Sequence, residues 1–101
     1  MSERLELQLL LEKILGSRNV YFQPPENIKL KYPCIIYAKA NEHYRFADNR
    51  KYMNRNIYDV TVIDSNPDSK IPKEISELEY CSFNRCFIND GLYHNVYQLI
   101  Y

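Results

Sequence analysis

Asn89-Asp90-Gly91 stands between two runs rich in β-forming residues, Cys81–Ile88 and Leu92–Tyr101. Asp-Gly in this setting is among the strongest local signals of a tight hairpin, because the turn needs positive φ at both central positions. The C-terminal segment is therefore read as two antiparallel strands, and the rest of the chain must supply what packs against them. A single domain over residues 1–101 is expected, since domains of about 100–150 residues are the commonest size.

Leu7, Leu10, Leu11 and Ile14 recur at the i, i+3, i+4, i+7 spacing of one helical face. Ser2 is a plausible N-cap for that helix, and Gly16 sits where a glycine would end it. A short β-like run, Asn19–Gln23, follows and stops at Pro24-Pro25. A second strand is predicted from near Tyr32 through Tyr37, and a third within Tyr52–Asp64, where Tyr58, Val60 and Val62 alternate with Asp59 and Thr61. Ala47-Asp48-Asn49 reads as the tip of a long hairpin between them. After the turn cluster Asp64–Ser69, Pro72 suits the first position of a short helix that turns Ile71, Ile75 and Leu78 inward and Glu74, Glu77 and Glu79 outward. The order is α-β-β-β-α-β-β. It predicts an α+β domain with a mostly antiparallel sheet of about four to five strands and helices on one face.

Composition narrows the chemistry. Only two glycines, Gly16 and Gly91, are present, too few for a phosphate-cradling loop or a dinucleotide fingerprint. Three cysteines, Cys34, Cys81 and Cys86, form no CxxC pair, which argues against a disulfide framework and a zinc site; Cys81 and Cys86 read as core thiols. His43 and His94 lie in β-like runs with no nucleophile, acid or second histidine at a recognisable spacing, so half-buried sheet positions explain them better than catalysis. No catalytic residue, metal ligand or cofactor site is assigned, and no enzyme activity is expected. No apolar run approaches the roughly 20 residues of a membrane span, and glutamates at positions 3, 6 and 12 interrupt the N-terminal leucines, unlike a secretory signal. A soluble, cytosolic protein is expected.

Ten tyrosines invite a nucleic-acid reading, because rings on a sheet can stack on bases. The zero net charge and the absence of an aromatic–basic signature favour rings that pack in and around the sheet. The charge is nevertheless unevenly placed. Residues 18–58 hold eight basic and three acidic side chains, whereas residues 59–80 hold two basic and six acidic. Such halves can be complementary between copies in a head-to-tail contact; two solvated faces explain them equally well. Leu5 and Leu9, one turn apart and away from the main leucine stripe, suit either an interface edge or the margin of a wide apolar face.

The segments NVYFQPPENIKLKYPCIIY, FADNRKY, YDVTVIDSNPDSKIP and YCSFNRCFINDGLYHNVYQLIY resemble a family of small proteins from the head–tail morphogenesis region of long-tailed bacteriophages and prophages. That family comprises tail terminator, tail completion and minor capsid proteins. The resemblance covers roughly residues 18–101, and its most specific parts are the YPCIIY strand, the FADN turn and the VIDSNPDS passage. It implies a non-enzymatic α+β structural protein that forms a ring, commonly a hexamer, and in solution a monomer before assembly. Its implied partners are further copies of itself, the tail tube protein and the head-connector proteins; the charge and the lack of a long apolar run give no expectation of a nucleic-acid or membrane partner. Its implied place is the host bacterial cytoplasm during assembly, then the head–tail junction of the virion. Candidate contact residues are Leu5 and Leu9, the hairpin-tip residues Arg45, Asp48, Asn49, Arg50 and Lys51, and the acidic Glu74 and Glu77. A connector role such as adaptor or stopper fits the same resemblance, and a small nucleic-acid-binding module is the alternative outside it.

Overall fold

A computed structural model describes residues 3–40 and 56–101. Helix α1 spans Glu3–Leu15, followed by strands β1 (Val20–Phe22), β2 (Cys34–Lys39) and β3 (Ile57–Asp64), helix α2 (Ile71–Ser76), and strands β4 (Cys81–Asn89) and β5 (Leu92–Ile100). This is the α+β order expected from the sequence. The five strands form one sheet in the order β1-β2-β3-β5-β4. Only β1 and β2 run parallel; the other three pairings are antiparallel.

Local chemistry accounts for the element ends. Acidic Glu3 and Glu6 lie in the first turn of α1 and Lys13 in its last, both favourable to the helix dipole. Gly16 ends the helix at φ +82°, with its N–H donating to the Glu12 carbonyl at 2.8 Å. Strand β2 begins at Cys34 rather than at Tyr32, because Pro33 has no N–H to give a ladder. Successive side-chain caps hold the turn cluster: Asp64 accepts from the Asn66 N–H at 3.0 Å, and Asn66 from the Asp68 N–H at 2.9 Å. Asp90 and Gly91 take φ values of +52° and +74°, the double positive φ that a two-residue hairpin turn requires. Ser2, the hairpin tip Ala47–Asn49 and the expected strand start at Tyr52 lie outside the described residues.

Both helices cover the same face of the sheet. Leu7 and Leu11 of α1 and Ile75 of α2 share a core with Val20, Ile35, Tyr37, Tyr58, Val60, Val62, Tyr97 and Leu99. One cross-strand row in that face runs Phe22–Tyr37–Val60–Tyr97–Phe83 through all five strands. Aromatic contacts mark both ends: the Phe22 and Tyr37 rings lie 5.0 Å apart, and Phe83 meets Tyr97 edge-on at 5.6 Å.

The opposite face is not simply exposed, as the alternation within β3 would have it. Cys34, Ile63, Val96 and Ile100 are buried there, and Asp59 and Thr61 are half-buried. The segment between β1 and β2 must pass over a face to join parallel strands. Its Ile28 and Leu30 line a shallow depression with Ile36 and Ala38 of β2, which places the crossing on this outer side.

Two tyrosines tie helices to sheet. The fully buried Tyr37 donates its hydroxyl proton to the Gln8 side-chain oxygen at 2.6 Å. Gln8 Nε2 in turn donates to the Val20 carbonyl at 3.0 Å and to Glu12 at 2.9 Å. Tyr97 donates to the Pro72 carbonyl of α2 at 3.0 Å. Replacing Tyr37 with Phe leaves the half-buried Gln8 oxygen without this donor, and a loss of about 1–3 kcal/mol is expected in urea unfolding. Burial raises the phenol pKa of Tyr37, Tyr58 and Tyr97. The folded state thus holds these protons more tightly than the unfolded chain. The stability they contribute is full below the ordinary tyrosine pKa of about 10 and is lost as pH rises through the raised values. The urea midpoint should therefore fall on passing from about pH 8 to about pH 11, and Tyr97→Phe should make that fall shallower.

Candidate interaction surface

Among the described residues, β4 is the one long element left uncovered. It pairs on one side with β5, from Cys81 opposite Leu99 to Asn89 opposite Leu92, and forms an edge of the sheet on the other. Helix α2 has only six residues, so it packs on the start of β4 and stops short of the distal half. Phe83 is 59% exposed and Ile88 63%, with Phe87 also exposed. Long apolar edges are unusual, because an edge strand offers unpaired N–H and C=O groups to any other strand.

A β-bulge sets which side chains face where. The register shifts between Phe83 and Arg85, so Asn84 is an extra residue in the ladder. Before the bulge, Cys81 and Phe83 lie on the helix-covered face opposite Leu99 and Tyr97. After it, Cys86 and Ile88 take that face opposite Asn95 and Tyr93, while Arg85 and Phe87 take the outer face opposite Val96 and His94. Apolar groups are thus presented on both sides of one edge. The Phe87 ring stacks on the His94 imidazole at 4.6 Å and 13°, and the Arg85 guanidinium lies 5.4 Å from the Phe87 ring centre. His94 Nδ1 is 3.1 Å from the Leu92 carbonyl, a contact within its own strand.

The two sheet edges differ. At the opposite edge β1 has three residues, and Asn19 and Gln23 direct their backbone bonds to β2. Alternation then turns the Val20 carbonyl away from β2, and Gln8 of α1 already occupies it at 3.0 Å. Arg4 of the same helix lies 4.7 Å over the Phe22 ring. At the β1 edge helix side chains occupy one outward carbonyl and overlie one ring, whereas among the described residues no such contact meets the β4 edge.

The residues expected from the sequence fall in three groups. Leu5 and Leu9 are exposed on α1, Leu9 by 54%. Glu74 and Glu77 are exposed on and just after α2, on the β4 side of the sheet, while Arg18, Lys29, Lys31 and Lys39 are exposed around β1 and β2. The charge split along the chain becomes, for these residues, a split between the two ends of the sheet. Arg45, Asp48, Asn49, Arg50 and Lys51 lie outside the described residues. The expectation that Cys81 and Cys86 are both core thiols needs correction. Cys81 packs against the core, but Cys86 stands exposed on the uncovered half of β4.

Phe83, Phe87 and Ile88 were not among the expected contact residues. Their signal lies in Cys86-Phe87-Ile88, three consecutive apolar residues that must show apolar groups on both faces of a strand. Among the described residues, no group of three or more His, Cys, Asp or Glu side chains is placed to hold a metal ion, and no helix is long and apolar enough to cross a membrane. No protein-family model, curated protein or solved structure matches the chain.

The thiols test this geometry directly. Burial, with a smaller contribution from the Asp64 carboxylate, pushes the Cys34 pKa up to about 11. At pH 8 its thiolate fraction is then about one in a thousand. In native protein a thiol reagent should modify Cys86 rapidly, Cys81 slowly and Cys34 only on unfolding, as peptide mass mapping against time would show.

Proposed function

We propose that the chain is a non-enzymatic assembly protein of a long-tailed phage or prophage, a ring-forming tail terminator or head–tail joining protein that caps the tail tube and connects it to the head. The resemblance of residues 18–101 to that family supplies the assignment. The observation in the structure that supports it best is the uneven placement of some surface charges. Exposed Glu74, Glu77 and Glu79 lie toward the β4 side, interspersed with exposed Lys70, Lys73 and Arg85. Exposed Arg18, Lys29 and Lys31 lie toward the β1 side, with Glu26 and the α1 residues Glu3 and Glu6 also exposed there.

Opposite charges at two ends of one molecule can meet head to tail between copies, as in a ring, and equally well in an antiparallel pair. Leu5 and Leu9 on α1 add exposed apolar area beside it. A role as adaptor or stopper in the same connector is the alternative that shares these features. The nucleic-acid reading draws no support from Tyr37, Tyr58 and Tyr97, whose rings are buried in the core instead of forming a stacking platform.

Cryo-EM or immunogold location of the protein in the particle tests the reading. Density at the head–tail joint is expected, and a position elsewhere overturns it. The double charge reversal Glu74→Lys with Glu77→Lys should leave the fold intact, since both side chains are exposed, and should sharply reduce the yield of joined particles. A compensating reversal at Lys29 and Lys31 should restore part of that yield if the two ends meet.

A further inference from the structure

The β4 edge calls for an occupant of its own, and we infer that it is β4 of a second copy, paired antiparallel about a two-fold axis. The inference does not rest on the phage reading. It follows from which backbone groups remain unpaired. A strand added to β4 must bring its own row of free N–H and C=O groups. Among the described strands of another copy, β2, β3 and β5 are flanked on both sides, and β1 is short with its outward carbonyl at Val20 bonded to Gln8. Only β4 itself offers a long open edge.

The side chains permit the approach. Within Cys81–Asn89 the sole charged residue is Arg85, so the two strands themselves meet with little repulsion, although Glu74, Glu77 and Glu79 of each copy lie toward this side. Like charges directly opposite each other are unfavourable, which disfavours the register that places Arg85 against itself. A shift that sets Cys86 opposite Cys86 of the second copy instead brings Arg85 opposite Phe87, the ring its guanidinium already overlies within one chain. A two-fold axis normal to the sheet keeps each face in register. Cys86 and Ile88 then extend the helix-covered face across the junction, and Phe87 extends the outer one. The result is a continuous ten-stranded sheet in which Phe83, Phe87 and Ile88 gain cross-strand neighbours.

The contact is small. With Cys86 opposite Cys86, residues 83–89 of the two copies overlap, and seven residues at roughly 3.4 Å each give a seam about 24 Å long. With flanking side chains this stays below the roughly 1,200 Å² of a standard stable interface. A weak, reversible pair is expected.

Sedimentation equilibrium of the full chain over a wide concentration range tests the proposal, with hydrogen exchange as a second readout. A monomer–dimer equilibrium is expected, weakened at least about tenfold by Phe87→Lys and by Ile88→Lys. Both side chains are exposed, and circular dichroism would verify that the variants fold. In the dimer, alternate β4 amides that exchange freely at low concentration should become protected. Mild oxidation with diamide should join two chains through Cys86, since directly opposed residues lie within disulfide reach, and Cys86→Ser should abolish that product. A monomer at every concentration overturns the pairing, as does a dimer indifferent to both lysine variants. A dimer or ring lost instead on Leu9→Lys or Glu74→Lys, with β4 amides still exchanging freely, overturns it as well and assigns association to α1 or to the charged ends. The location of the protein in a particle is read separately, so failure of either proposal leaves the other standing.

Discussion

The hydrogen bond from the Tyr37 hydroxyl to Gln8, at 2.6 Å, is the point on which the rest of the architecture turns. It fixes the orientation of a helix side chain whose other end must then donate, and Gln8 Nε2 reaches the Val20 carbonyl as well as Glu12. One glutamine thereby joins α1 to β2 and β1 and satisfies a backbone group that would otherwise face outward unpaired. A leucine at that position would bury more apolar surface but would leave the Val20 carbonyl and the Tyr37 hydroxyl without these partners. Helix and sheet are held in one relative position by polar contacts at the margin of an apolar core.

That placement has an effect at the far edge of the sheet. With α1 committed to β1 and β2, the remaining inner face falls to α2, which is six residues long and anchored by Ile75 and by the Tyr97–Pro72 bond. A helix of that length spans roughly 9 Å, against about 30 Å for the nine residues of β4. The distal half of the β4–β5 hairpin therefore projects past the helices with apolar groups on both faces. The open edge is a geometric consequence of one long and one short helix on a five-stranded sheet.

The features legible in the sequence were those encoded by neighbouring residues. Gly16 ends α1, Asp90-Gly91 makes the hairpin, Asp64–Ser69 forms nested side-chain caps, and the leucine spacing of α1 and the alternation Tyr58-Val60-Val62 identify the inner face. What alternation could not reveal was the second apolar layer. Cys34, Ile63, Val96 and Ile100 are buried on the other side because a non-local crossing and neighbouring strands shelter them. Nor does local pattern distinguish an edge strand from a central one: β4 and β5 are equally rich in β-formers, and strand order alone leaves β4 outside. The same gap explains the contact residues. Leu5 and Leu9 stand out by helical spacing, whereas Phe83, Phe87 and Ile88 become conspicuous only when the edge and the bulge are known.

Apolar edges are usually blunted by charge, proline or a short strand, and β4 carries none of these beyond Arg85. Its bulge at Asn84 twists the edge without closing it, and places apolar groups on each face where one face alone would have sufficed for packing on α2. An edge that is long, bulged, nearly uncharged and apolar on both faces is costly to leave in water. At the β1 edge a single glutamine occupies the outward Val20 carbonyl. That among the described residues β4 has no such side chain against its edge is the physical reason to regard it as a surface for contact, one that β4 of a second copy can complete.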